Sequence, residues 1–423
     1  MVSRYKLHNG LTVVTVPQTS TETVTVMLLV PVGSRHENPS NNGISHFLEH
    51  LMFKGTTKRP STLELTKQLD AVGAAYNAFT GKDTTSYFIK VAADHLELAL
   101  DLFSDMVFHS LFDASEIDRE RGVIIEELNM YQDNPLMHVD TLLEMSIFQK
   151  KHPLGYDIGG EKKNIKQLPR TAFIEYKRKH YSPAAMHLVL AGKIDRRARH
   201  WVKNYFAKYD RGQKAAAFKH FKPYQTKPQF LHKYKDTKQT QLTIGFPGIS
   251  FNQPKDLATL SVLSTILGGN MSSRLFISIR ERQGLCYVIH SDVTPYLDTG
   301  VFMIQAGLDN TRITPAVEAI MKELRLMKAE LVTEEELKNA IDCIKGQTAL
   351  KLEDSAALAG YYGHQSVLLG KITSPQEKLR RIERVTREDI RRLAKRLLEL
   401  RKVNIASIGP QRSLQHLRSH LAL

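Results

Sequence analysis

His46, Glu49 and His50 are the residues whose types and spacing best fit chemistry. Two histidines four apart on a helix lie one turn from each other on the same side. Two neutral imidazoles so placed can converge on one Zn²⁺ at about 2.0–2.1 Å. Glu49, beside them, is close enough to act on a water at such a metal. A catalytic zinc needs a third protein ligand and one open position. Glu120, Glu126 and Glu127 compete for that place. On a helical wheel Ile117, Ile124, Leu128 and Tyr131 mark the inward face; Glu120 and Glu127, seven apart, stack near it, whereas Glu126 points away. A carboxylate beside an apolar stripe is costly unless it is paired or bound to a metal. Glu127 is therefore expected as the third ligand, Glu120 as a support that orients a ligand or neighbour, and Glu126 as a solvated helix residue. The competing reading is plainer: a solvated His/Glu face, with Glu127 paired to one of the nearby arginines.

These side chains need elements to hold them. Ile44, Phe47, Leu48 and Leu51 form an apolar stripe that predicts a helix over 44–53, with His46, Glu49 and His50 off the stripe. Thr23 to Val32 is rich in Val and Thr and predicts a strand. Ser61 with Glu64 caps a helix that Gly73 stops, and Tyr76 to Val91 reads as a hairpin. Asp94 with Glu97 and Asp113 with Glu116 are expected to cap helices running to about Ser110 and Gln132. The second half repeats the outline: a strand over 239–246, a helix around 257–267, strands over 286–293 and 300–306, a helix begun by Thr314-Pro315 as proline at its first position, and another capped by Thr333 with Glu336. Corresponding features lie roughly 210–220 positions apart, the mark of an internal repeat. The expected fold class is α+β, two similar domains with mixed sheets packed by helices, related by duplication: residues 1–212, a linker over 213–229, and 230–423. The duplication is asymmetric. The segment Thr259 to Leu263 lies where His46 to His50 lies in the first half and carries no metal ligands, so only the first half can hold the metal.

Composition narrows the class. In a 423-residue chain, 42% hydrophobic and 24% charged residues suit a globular protein with two cores, not a disordered chain or a fibre. Two cysteines, Cys286 and Cys343, are too few for a disulfide framework or a Cys-rich zinc site. Met1 to Gly10 lacks the apolar region of a secretory signal, and the longest apolar run, around Val24 to Val32, is too short to span a bilayer. A cytoplasmic protein without a membrane partner is expected. The net charge of +15 comes from scattered pairs such as Lys162-Lys163, Arg196-Arg197, Arg380-Arg381 and Arg391-Arg392. There is no basic tail and no RNA-binding aromatic motif, so no nucleic-acid partner is expected.

The order His-x-x-Glu-His, together with these glutamates, resembles the inverzincins of the pitrilysin and mitochondrial processing peptidase family. The stretch from Asn42 to Thr56 looks like that family's zinc helix. Glu120 and Glu127 look like its supporting and ligating glutamates, and Asn77-Ala78-Phe79-Thr80 is similar to its substrate-binding edge strand. In the second half Arg280 and Tyr287, seven apart, match its Arg/Tyr signature. The resemblance covers nearly the whole chain and implies the LuxS/MPP-like metallohydrolase fold, one Zn²⁺ per chain and a closed chamber for short or unfolded peptides. It further implies a homodimer in which Arg280 and Tyr287 of one copy complete the site of the other. Glu49 would be the general base, Tyr287 and less directly Arg280 would stabilise the developing oxyanion or hold the peptide, and Asn77, Ala78 and Phe79 would bind an extended substrate. Without the resemblance, Tyr287 and Arg280 read as an ordinary strand aromatic and a surface arginine. Two rivals follow: a catalytically inactive scaffold, disfavoured because no ligand is missing, and a basic nucleic-acid binder, which would contain no metal.

Overall fold

A computed structural model describes residues 2–421 and 423. Contacts divide the chain into two compact units. The first runs up to Leu128 and adds Tyr156–Lys219 and Ala349–Thr373; the second holds Asn129–Gly155, His220–Thr348 and everything from Ser374 on. Each is built on one mixed sheet.

The first sheet contains β1 (Ser3–Lys6), β2 (Thr12–Pro17), β3 (Thr23–Val30), β4 (Ala75–Thr80), β5 (Thr85–Ala92) and β6 (His187–Gly192), in the order β1-β2-β6-β3-β5-β4. Only β2 and β6 run parallel. The β3 sequence Thr-Val-Thr-Val-Met-Leu-Leu-Val is buried on both faces from its second residue, as suits a central strand covered on both sides. At the edge, β4 alternates exposed and half-buried residues and pairs only with β5.

The second sheet contains β7 (Gln229–Tyr234), β8 (Gln239–Pro247), β9 (Cys286–Pro295), β10 (Gly300–Asp309) and β11 (Asn404–Gly409), in the order β7-β11-β8-β10-β9. Its one parallel pair is β7 with β11. Leaving aside β1, the two sheets have the same strand order and the same placement of the parallel pair. The duplication is therefore one of topology, and β9 is the counterpart of β4.

The expected contiguous division into 1–212 and 230–423 is not how the chain packs. The outer face of the first sheet, with Val14, Val16, Met27, Leu29, Val189 and Ala191, is covered by Leu358, Ala359 and Tyr362 of a helix from the second half, Ser355–His364. Reciprocally, the helix Pro135–Phe148 of the first half packs on β8 and β11 through Val139, Leu142 and Leu143. Asp140 on that helix accepts hydrogen bonds from Thr243 Oγ1 and Gln305 Nε2, each 3.2 Å, and burial pushes its carboxyl up to about 6. Each sheet leaves a second apolar face that its own contiguous segment does not close, and each half supplies the missing helix to the other. The expected linker also differs. Residues 210–228 form neither helix nor strand, but Phe218 and Lys219 are held in the first unit. The buried Arg35 guanidinium lies 3.9 Å from the Phe218 ring centroid, bonds Lys219 O at 3.1 Å and pairs with Asp83.

Several element boundaries shift for local reasons. Asp94 is not the cap of the helix Leu96–His109: it lies inside a short 3₁₀ turn, Ala93–His95, and the helix N-cap is His95, which makes no side-chain capping bond. The helix Ile313–Ala329 begins before Pro315, which is its third residue. Asp113 accepts from Ser115 N and Glu116 N, and Thr333 with Glu336 forms a reciprocal box, as their spacing predicts. Cys286 and Cys343 are free thiols. No helix among the described residues is long and apolar enough to cross a membrane.

Candidate metal centre

The helix carrying His46 and His50 spans Ile44–Leu51. Its Ile44, Phe47, Leu48 and Leu51 are buried in the first unit's core, which leaves His46, Glu49 and His50 half-buried on the other side. The helix Ala114–Asp133 buries Ile117, Glu120, Ile124 and Leu128. Glu127 sits at the margin of that face, and Glu126 is exposed. Tyr131, expected inside, is 41% exposed, because the helix leaves the first unit's core after Leu128.

The geometry brings His46, His50 and Glu127 together, one potential ligand atom from each lying within 4.8 Å of the others. The two Nε2 atoms are 3.3 Å apart, and Glu127 Oε2 is 3.4 Å from that of His50 and 3.6 Å from that of His46. Ligand atoms about 2.0–2.2 Å from a tetrahedral ion lie about 3.3–3.6 Å from one another. The triangle therefore fits a zinc-sized ion with its fourth position facing away from the three side chains. Charge points the same way. The His46 and His50 imidazoles beside it hold the Glu127 carboxyl well below the usual carboxylate range. Burial would lower the His50 imidazole, but Glu120 and Glu127 outweigh it and push it up to about 9. The cluster attracts positive charge, and a metal would displace a proton from it.

Glu120 is 3% exposed and spans two partners: Oε1 lies 2.8 Å from His50 Nδ1 and Oε2 2.6 Å from Lys54 Nζ. Burial alone would raise its carboxyl, yet the bonds to His50 and Lys54 lower it. Glu120 thus fixes the His50 ring with Nε2 toward the cluster, the arrangement by which a carboxylate orients a histidine ligand. His46 Nδ1 is buried without such a partner among the described residues, so His50 is the more firmly oriented of the two.

Glu49 does not join the triangle. Its Oε2 accepts a hydrogen bond from Thr80 Oγ1 at 2.5 Å. Burial pushes its carboxyl up, opposed by the Thr80 bond and the two histidines. Thr80 and Lys54 were not singled out by sequence reasoning. Thr80 ends the stretch Asn77–Thr80, but its role depends on β4 being laid beside the His46 helix.

On β4, Thr80 and Tyr76 face that helix, where Tyr76 packs near Phe53. Asn77 and Phe79 face the opposite side: the Phe79 ring is stacked on His364 at 6.1 Å, and Asn77 is exposed, its Oδ1 accepting from Ala78 N. Ala78 is half-buried against the core. The expected substrate-binding trio is thus divided between the two faces of an edge strand.

Arg280 and Tyr287 belong to the second unit. A π-helical turn, Phe276–Glu281, and β9 bring them side by side, with the Arg280 guanidinium carbon 5.3 Å from the Tyr287 ring centroid and 4.6 Å from that of Phe276. Tyr287 is 70% exposed. The helix Pro254–Gly268, which follows β8 as the His46 helix follows β3, buries Thr259, Leu260 and Leu263, and its one carboxylate, Asp256, is paired with Arg396.

Residues 12–161 match the family described as insulinase, peptidase family M16, and residues 167–342 match the peptidase M16 inactive domain. The chain belongs to the M16 peptidase family. Of the two matches only the second is described as inactive, and His46, His50 and Glu127 lie within the first. Among relatives, an uncharacterized zinc protease of Bacillus subtilis, YmxG, is 34% identical over 401 residues, covering 94% of this chain and 96% of that protein. An uncharacterized zinc protease of Rickettsia bellii is 35% identical over 408 residues, covering 96% and 97%. Among solved structures, a protease from Helicobacter pylori superposes with a TM-score of 0.91 at 23% identity, covering 97% of this chain and 99% of the other. A peptidase M16 inactive domain from Pseudomonas fluorescens gives 0.89 at 20% identity, covering 98% and 99%. At those identities the superpositions speak for the M16 fold alone.

Proposed function

We propose that this chain is a zinc metalloendopeptidase that hydrolyses short or unfolded peptides bound in extended form. The observation that carries the reading is the triangle of His46 Nε2, His50 Nε2 and Glu127 Oε2, its edges matching a tetrahedral ion with one position left open. The names of the relatives as zinc proteases favour the same metal. A zinc ion held there would act as a Lewis acid on the scissile carbonyl and make a water acidic near neutral pH. The chain's own residues do the rest. Thr80 holds Glu49 through Oε2, leaving Oε1 to take the proton from the attacking water and later pass it to the leaving amine. Glu120 keeps the His50 ring aimed. The outer edge of β4 is where an extended peptide adds as a further strand, bound through its main chain with little demand on sequence. Tyr287, with Arg280 beside it, stabilises the oxyanion or holds the peptide backbone.

A homodimer with a chamber closed around the substrate, each site completed by Arg280 and Tyr287 of the second copy, follows from the family reading. Digestion of a peptide library with and without a chelator tests the activity and its metal dependence together. Cleavage that stops with chelator and returns with zinc is expected; cleavage unaffected by metal removal would sink the proposal. Sharing of sites has a separate test. Mixed dimers of inactive Glu49→Gln and inactive Tyr287→Phe subunits are expected to regain part of the activity, and no rescue in verified mixed dimers would count against it.

A further inference from the structure

The His46 helix begins in a way that its own residues do not explain. Its N-cap is Gly43, at φ +101°, which offers no side chain to the first turn. Asn42, Gly43, Ile44 and Ser45 are all buried, so the leading N–H groups cannot turn to water. Such donors need partners. Ile44 N is bonded to Asn41 O at 3.0 Å, and Glu37, outside the helix, supplies the partner of Gly43 N and Ser45 N. Its Oε2 accepts from Gly43 N and from Asn42 Nδ2, both at 2.8 Å, and its Oε1 accepts from Ser45 N at 2.8 Å. Glu37 is itself only 4% exposed. Burial pushes its carboxyl up, and these donors offset only part of that rise. A buried carboxylate is costly unless fully bonded, and here nearly all its bonding goes to one helix start.

We infer that Glu37 is a positioning residue of the metal centre, its carboxylate setting where the His46 helix starts and how it is turned. The inference rests on reading His46, His50 and Glu127 as metal ligands. Ser45, whose N–H is held, is the neighbour of His46. Each residue turns an α-helix by about 100°, so a slip of the first turn rotates both imidazoles away from Glu127. The helix has only eight residues, and His50 is its seventh, so nothing downstream absorbs the slip before the ligands. A metal site tolerates errors of only about 0.2 Å in its ligand distances. The surroundings allow little other adjustment. A Cβ on Gly43 would lie 2.9 Å from Gly159 O and from Gly160 Cα. Asn42 Nδ2 is also bonded to Asp157 O at 2.9 Å. The start of the helix is thus walled on one side and pulled by Glu37 on the other.

A simple helix cap would affect stability alone, so the test separates stability from metal binding. Zinc affinity of the full chain is measured by competition with a chromogenic chelator, and thermal melting is followed on the metal-free protein. The variants are Glu37→Gln, which keeps the size but only one accepting oxygen, and Leu65→Ala, a core truncation elsewhere in the same unit. Glu37→Gln is expected to weaken zinc binding at least about ten-fold, the range for residues that orient ligands, and Leu65→Ala less than about two-fold at an equal or larger drop in melting temperature. Equal affinity losses in the two variants would overturn the inference. If Glu37→Gln does not fold, Asn42→Ala removes one of the three donors; a loss of about three-fold is expected, on the same scale of effects, and unchanged affinity overturns the inference. Wild-type protein that binds no zinc would sink the metal reading and this inference with it. Tight wild-type binding, with Glu37→Gln behaving like Leu65→Ala, would sink this inference alone.

Discussion

Replacing Glu49 by Gln is expected to lower peptide hydrolysis by about 10²–10⁴-fold while zinc stays bound, the loss typical of removing a general base. The substitution is nearly isosteric. Thr80 Oγ1 can still donate to the amide oxygen, so the side chain keeps its place. What disappears is the oxygen able to take a proton. Burial holds the Glu49 carboxyl above its ordinary value, which brings it nearer to the working pH of a base than an exposed glutamate would be. Because Glu49 lies outside the triangle of His46, His50 and Glu127, metal content should not fall. The measurement is kcat/KM on a fluorogenic peptide beside zinc content by mass spectrometry. Full activity in Glu49→Gln would remove Glu49 from the base role, and loss of zinc would make it a ligand instead.

The second large effect concerns folding. A fragment of residues 1–219 keeps all six strands of the first sheet but lacks the helix Ser355–His364. Its sheet would then expose Val14, Val16, Met27, Leu29 and Val189 to water where Leu358, Ala359 and Tyr362 now cover them. Burying a large apolar side chain contributes about 1.5–3 kcal/mol, and a whole domain is stable by only about 5–15 kcal/mol. Uncovering the face removes a large part of that margin. The fragment also ends before β7 and carries Pro135–Phe148 without the sheet it packs on. We expect it to bind a hydrophobic dye and to lack a cooperative melting transition, and co-expression with residues 220–423 to restore one. A fragment that melts cooperatively at the temperature of the full chain would show that the exchanged helices are dispensable.

Local pattern and tertiary placement divide this protein in an instructive way. Periodicity was enough to predict which side of the His46 helix turns inward, since Ile44, Phe47, Leu48 and Leu51 recur at helical spacing and burial follows that spacing wherever a core exists. The same logic separated Glu127 from Glu126, for adjacent helical residues point about 100° apart. It failed at Tyr131, where the helix continues past the core that gave the pattern its meaning. Caps made by neighbours in sequence, such as Asp113 or Thr333 with Glu336, were legible because both partners lie within one turn.

The amino-acid sequence by itself determined the histidine pair and its spacing, the doubled α+β outline and the lack of a second such pair in the segment Thr259 to Leu263. Only the tertiary structure decided which helix covers which sheet. The helices Pro135–Phe148 and Ser355–His364 carry similar apolar patterns, and periodicity states that a helix has a face to bury without saying against what. Register decided the rest: one residue along β4 separates Thr80, which holds Glu49, from Phe79, which stacks on His364 across the sheet. The path of the loop placed Glu37 at the start of the His46 helix: it lies six residues before Gly43 and eight before Ser45, outside the one-turn spacing of a capping pattern, and a buried carboxylate goes where N–H groups converge.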